Sequence, residues 1–116
     1  MPPLLPSKLN PHPRAGSRLD CNQVIICGTI VRLTTPRYTP AGIMITELKL
    51  SHESTQVEAG SPRRVTCELT AIAMADLAEQ VLSMGIDRHV RLTGFLARKN
   101  RMNDQLILHI CEAALV

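Results

Sequence analysis

Residues 63–82, RRVTCELTAIAMADLAEQVL, change hydrophobic period part-way along, and that change decides the fold. In the first half, Val65, Cys67, Leu69 and Ala71 alternate with Arg64, Thr66, Glu68 and Thr70. This two-residue repeat belongs to a strand with one face covered. From Met74 onward the apolar positions are Met74, Leu77, Ala78, Val81 and Leu82, the stripe of one amphipathic helix. Gly85 follows where a glycine commonly closes a helix. A strand over Arg63–Ala73 therefore runs directly into a single helix.

Working outward, Ile43–His52 alternates more cleanly than any other segment. Met44, Thr46, Leu48 and Leu50 fall on one side, and Ile45, Glu47 and Lys49 on the other. Between these two strands, the polar stretch Glu53–Pro62 reads as a long loop. Further upstream, Val24, Ile26 and Ile30 mark a first strand beginning after Asn22, with Gly28 where it can coil or bulge. Thr35–Gly42, bounded by Pro and Gly, reads as a loop. Beyond the helix, His89–Lys99 is a fourth strand, Asn100–Asp104 a hairpin turn and Gln105–Glu112 a fifth strand.

The predicted order is β-β-β-α-β-β. Five strands with one helix between the third and fourth is the order of the OB fold, a mainly β Greek-key barrel. A ferredoxin-like sandwich would need a second helix in the first half, and no helical period occurs there.

Composition sharpens this. A chain of 116 residues with 45% hydrophobic residues can bury a core, but it holds one Phe, one Tyr and no Trp. Ile, Val, Leu, Ala and Met must fill the interior. Residues 1–20 contain five of the eight prolines and Lys8, Arg14 and Arg18, and they read as a disordered basic tail before a domain over 21–116. That domain holds ten basic and nine acidic side chains, so any anion binding depends on local clustering.

The function classes narrow by exclusion. No run of 18 apolar residues is present, so no transmembrane helix is expected. The opening MPPLL is too short for a signal peptide. Cys21, Cys27, Cys67 and Cys111 lack zinc spacing and read as buried, reduced thiols. Nucleotide-binding, zinc-protease and serine-hydrolase motifs are absent. His12, His52, His89 and His109 are scattered, with His109 a strand histidine between Leu108 and Ile110. Glu47 and Glu68 fall on solvated sheet faces. No catalytic residue, metal or cofactor is expected, and the chain reads as a non-enzyme.

Basic residues cluster in three places. Arg32 and Arg37 flank the first loop with Tyr38, Arg63 and Arg64 open the third strand, and Arg98, Lys99 and Arg101 straddle the last turn. An OB barrel binds oligonucleotides on its second and third strands and the loops after strands one and four. Phosphates need such a cationic track. Tyr38 is the one ring expected to stack a base there, and Phe95 is expected in the core or a barrel seam.

The strings Gly28-Thr29-Ile30-Val31-Arg32 and Pro40-Ala41-Gly42-Ile43 resemble the family of primosomal replication protein N (PriB). So do the stretch from Leu50 through His52, Ser54, Gln56, Glu58 and Ala59 to Gly60, and the later Gly94-Phe95-Leu96-Ala97 and Leu106-Ile107-Leu108-His109. The resemblance runs from about Asn22 to the C-terminus. It implies a single-stranded DNA-binding protein-like OB fold that forms homodimers in the bacterial cytoplasm and acts at stalled replication forks. It further implies an accessory primosome protein that binds single-stranded DNA and bridges the PriA helicase to later components such as DnaT.

Position by position, the resemblance implies DNA contacts from Arg98, Lys99 and Arg101 in the last hairpin. Thr66 and Ser61 align where enterobacterial relatives carry rings, so the surface is expected to rely on arginine. The outward side of strand one, Gln23, Ile25, Cys27 and Thr29, is the implied dimer interface. Two rivals remain: an OB-fold protein–protein adaptor with weak or no DNA binding, and an RNA-binding OB module, which usually displays several exposed rings.

Overall fold

The computed structural model describes residues 18–116. The expected tail lies outside the described residues except for Arg18–Asp20, which form a 3-10 turn. The remaining elements are β1 (Val24–Leu33), β2 (Arg37–Tyr38), β3 (Met44–Glu58), β4 (Ser61–Met74), α1 (Asp76–Met84), β5 (His89–Asn100) and β6 (Asn103–Leu115). The five expected strands are β1, β3, β4, β5 and β6, with the helix in its expected place.

These five close into an OB barrel in the order β1-β5-β6-β4-β3-β1, with β2 added beside β3. Closure depends on β1 serving two neighbours. Val24–Thr29 pair with β5, and Thr29–Leu33 pair with β3, with a bulge at Val31. Gly28 sits at the changeover. A Cβ there would run into the Ser51 carbonyl oxygen and lie 2.9 Å from the Leu50 side chain. Only glycine lets the two strands approach that closely.

The main core lies inside the barrel. Ile30, Leu48, Leu50, Ala71, Ala73, Val90, Leu92, Leu108 and Ile110 point inward, and α1 packs Ala78 and Val81 against them. The α1 N-cap, Ala75, has φ 57° and no side-chain cap, while its N–H donates to the Met44 carbonyl at 2.8 Å. Asp76 and Glu79 in the first turn favour the helix dipole instead.

Several expectations are corrected. Glu53–Pro62 is a ribbon, not a loop: β3 and β4 stay paired from Glu53↔Thr66 to Glu58↔Ser61. They join through Ala59 and Gly60, both at positive φ (53° and 80°), which suits the twist of a two-residue hairpin. The ribbon extends beyond the core and is exposed on nearly all sides, so it carries no hydrophobic alternation. The first loop contains β2, and the last turn is only Arg101–Met102.

The cysteines are exposed rather than buried. Cys67 pairs with His52 where β4 leaves the barrel, and Cys111 has no opposite residue at the β5–β6 bulge. Phe95 is also outside the core, 41% exposed. Its neighbour Gly94 faces inward, hard against the His109 carbonyl, so the ring on the next residue points out.

Candidate nucleic-acid interface

Inward Thr46, Leu48 and Leu50 force Ile45, Glu47 and Lys49 onto the outer face of β3. Register extends that face across the sheet. Glu47 pairs with Ile72 on β4, Ile72 with His109 on β6, and His109 with Phe95 on β5. Ile45, Ile72 and Ile107 form a second, small apolar cluster on this side, separate from the core.

At one end of the face is a cleft of about 250 Å³ lined by Arg32, Glu47, Lys49, Thr70, Lys99 and Gln105. Arg32 and Lys49 are cross-strand partners. Lys99 arrives from β5 beside the last hairpin. Glu47 is, among the described residues, the one carboxylate on the cleft, and it accepts from Arg37 Nη1 at 3.3 Å. Among the described residues Arg32, Lys49 and Lys99 have no ion-pair partner. Three unpaired cations around a groove favour an anion, because uncompensated like charges repel each other at short range.

The other candidates are distributed differently. Arg98 Nη2 donates to the Arg101 carbonyl at 3.1 Å, and Asn100 Oδ1 accepts from Met102 N–H at 2.9 Å, shaping the hairpin tip. Both Arg98 and Arg101 are exposed there. Arg63 and Arg64 lie on the ribbon, paired with Glu58 at 2.5 Å and Glu53 at 2.7 Å. Thr66 and Ser61 are exposed on the same ribbon. Tyr38 is 63% exposed. Arg37 opposes Ile45 and Tyr38 opposes Met44, so alternation turns Tyr38 away from the face that holds Glu47 and Lys49.

Lys49 was legible only as an outward strand residue, since nothing local shows that Arg32 lies opposite. The contact between Phe95 and His109 was equally hidden. Their rings stack with centroids 5.0 Å apart and planes 4° from parallel.

Gln23, just before β1, and Ile25 and Cys27 on it are exposed, and Thr29 is half-buried. Among the described residues Val24–Gly28 have a ladder neighbour only in β5, which leaves the other edge of this part of β1 open among them. His52 Nδ1 meets the Cys27 carbonyl at 2.6 Å, and Thr29 Oγ1 meets His89 Nδ1 at 2.9 Å. These residues border a cleft of about 530 Å³. No helix among the described residues is long and apolar enough to cross a membrane.

Comparison with known proteins agrees with this architecture. Residues 22–112 match the model described as "Another single-strand binding protein family". The chain is 50% identical over 106 residues to replication restart protein PriB of Nitrosomonas europaea, covering 91% of this chain and 98% of that protein. It is 37% identical over 91 residues to PriB of Bordetella pertussis, covering 78% of this chain and 79% of that one. Among solved structures, PriB of Ralstonia solanacearum superposes with TM-score 0.76 at 28% identity, over 82% of this chain and 97% of that chain. The single-stranded DNA binding protein of Thermus aquaticus shares the fold, with TM-score 0.65 at 23% identity over 83% of this chain and 50% of that one. The open barrel face, the cationic cleft and these matches lead to one assignment: the chain belongs to the PriB family of replication restart proteins, which resemble single-strand binding proteins and are built on the OB barrel.

Proposed function

We propose that this chain binds single-stranded DNA across the outer face of β3, β4, β5 and β6 and acts in replication restart. The observation carrying this reading is the cleft where Arg32, Lys49 and Lys99 converge without carboxylate partners among the described residues. Arg101 at the tip of the adjoining hairpin adds positive charge, whereas Arg98 alternates to the side opposite Lys99. Phosphates held along such a track let the strand vary in sequence.

In this reading the protein is a non-catalytic homodimer working at replication forks in the bacterial cytoplasm. It pairs through the open edge of β1, with Gln23, Ile25, Cys27 and Thr29 facing the second copy. It bridges the PriA helicase to later primosome components such as DnaT. Two weak interactions on one dimer raise the local concentration of each partner.

Anisotropy titration of a labelled oligo-dT at several salt concentrations tests the binding. Three phosphate contacts in the cleft give a slope of log K against log salt of about −2. No saturable binding at low salt overturns the reading. It would then favour the adaptor, for which the pairing of Arg37, Arg63 and Arg64 with carboxylates speaks.

A further inference from the structure

We infer that Phe95, backed by His109, is a base-stacking platform on the sheet face that carries the cationic cleft, an inference that rests on the proposed DNA binding. The register row Glu47–Ile72–His109–Phe95 puts both rings on the face that carries the cationic cleft. On β5, alternation places Phe95, Ala97 and Lys99 together, and on β6 it places Gln105, Ile107 and His109 together. Lys99 and Gln105 line the cleft. The ring pair lies four residues along the same two strands, roughly 14 Å at 3.4 Å per residue. Ile72 and Ile107 form the apolar floor between them. The face therefore has a cationic end and a ring end.

The rings are not needed to complete the interior, because the main core contains neither of them. An exposed phenylalanine held flat against a second ring is already fixed in orientation, so stacking a base on it orders little further. Any base offers a π-face, and the platform accepts all four. Of the two Phe and Tyr side chains in the chain, only Phe95 shares the face of the cleft, because Tyr38 is turned toward Met44's side.

Phe95→Leu and Phe95→Trp test this in the full chain with oligo-dT. Phe95→Leu keeps an apolar side chain but removes the flat ring. Its affinity should fall about 5- to 150-fold, the range of one lost stacking contact. The salt slope should stay that of the parent, since no phosphate contact is removed. Phe95→Trp places a single tryptophan in a chain that has none. It should bind as well as the parent, with its emission quenched as DNA saturates. Affinity of Phe95→Leu within twofold of the parent, or unchanged tryptophan emission while anisotropy reports binding, overturns the platform alone. A parent chain that does not bind oligo-dT overturns the functional reading and the platform together.

Discussion

Arg32 and Lys49 face each other across the β1–β3 ladder, and among the described residues neither meets a carboxylate. Like charges directly opposite on a sheet are mildly destabilising, so stability does not account for the pair. Lys49→Glu replaces the repulsion with an attraction between Arg32 and the introduced carboxylate. The variant should melt no lower than the parent while losing oligo-dT affinity, with a salt slope shallower by about 1.4, since one cation is lost and Arg32 is occupied. Thermal melting and anisotropy on the same sample check both parts.

The ribbon arginines should behave in the opposite way. Arg63 and Arg64 are exposed and matched by Glu58 and Glu53, so their charge is locally cancelled. Alanine at either position should change oligo-dT affinity less than Lys49→Glu does. Stability should shift by no more than about 1 kcal/mol, as for other exposed ion pairs.

Barrel closure depends on Gly28. A Cβ there meets the Ser51 carbonyl, which belongs to the ladder itself and cannot turn aside as a side chain could. Gly28→Ala should lower unfolding free energy by about 1–3 kcal/mol, the usual cost of overpacking. Urea denaturation followed by circular dichroism measures it.

Ala75 is an alanine in a backbone conformation that favours glycine, φ 57° and ψ −129°. Strain of this kind costs about 1–3 kcal/mol, against roughly 0.5–1 kcal/mol of extra chain entropy for glycine. Ala75→Gly should therefore stabilise the protein by about 1 kcal/mol, read as a raised melting temperature. An unchanged or lower value would show that the turn carries no strain.

Ile25 is 61% exposed on the open half of β1. If that edge joins two copies, Ile25→Asp buries a charge at the interface and should convert a dimer to a monomer with an unchanged circular dichroism spectrum. Sedimentation equilibrium distinguishes the two masses.

What the sequence determined by itself is the architecture: strand alternation over Met44–Leu50 and Val65–Ala71, then the switch to a helical stripe, of which Leu77, Ala78, Val81 and Leu82 lie in α1 while Met74, read as helical, is the last residue of β4. These signals are strong because those elements bury one face and expose the other, and the burial pattern is written at local spacing. The ribbon over Glu53–Pro62 was illegible because it is exposed on nearly all sides and its pairing depends on backbone hydrogen bonds, which carry no hydrophobic signature. The same limit explains the cysteines: alternation puts Cys67 in line with half-buried Leu69, but only the barrel's extent decides where burial stops. Clusters of arginine were legible one segment at a time. Their pairing with carboxylates, the meeting of Arg32 and Lys49 with Lys99, and the stacking of Phe95 on His109 join residues from different strands. Only barrel closure brings those strands together, so the tertiary structure decided which charges remain unpaired and which ring shares the face of the cleft.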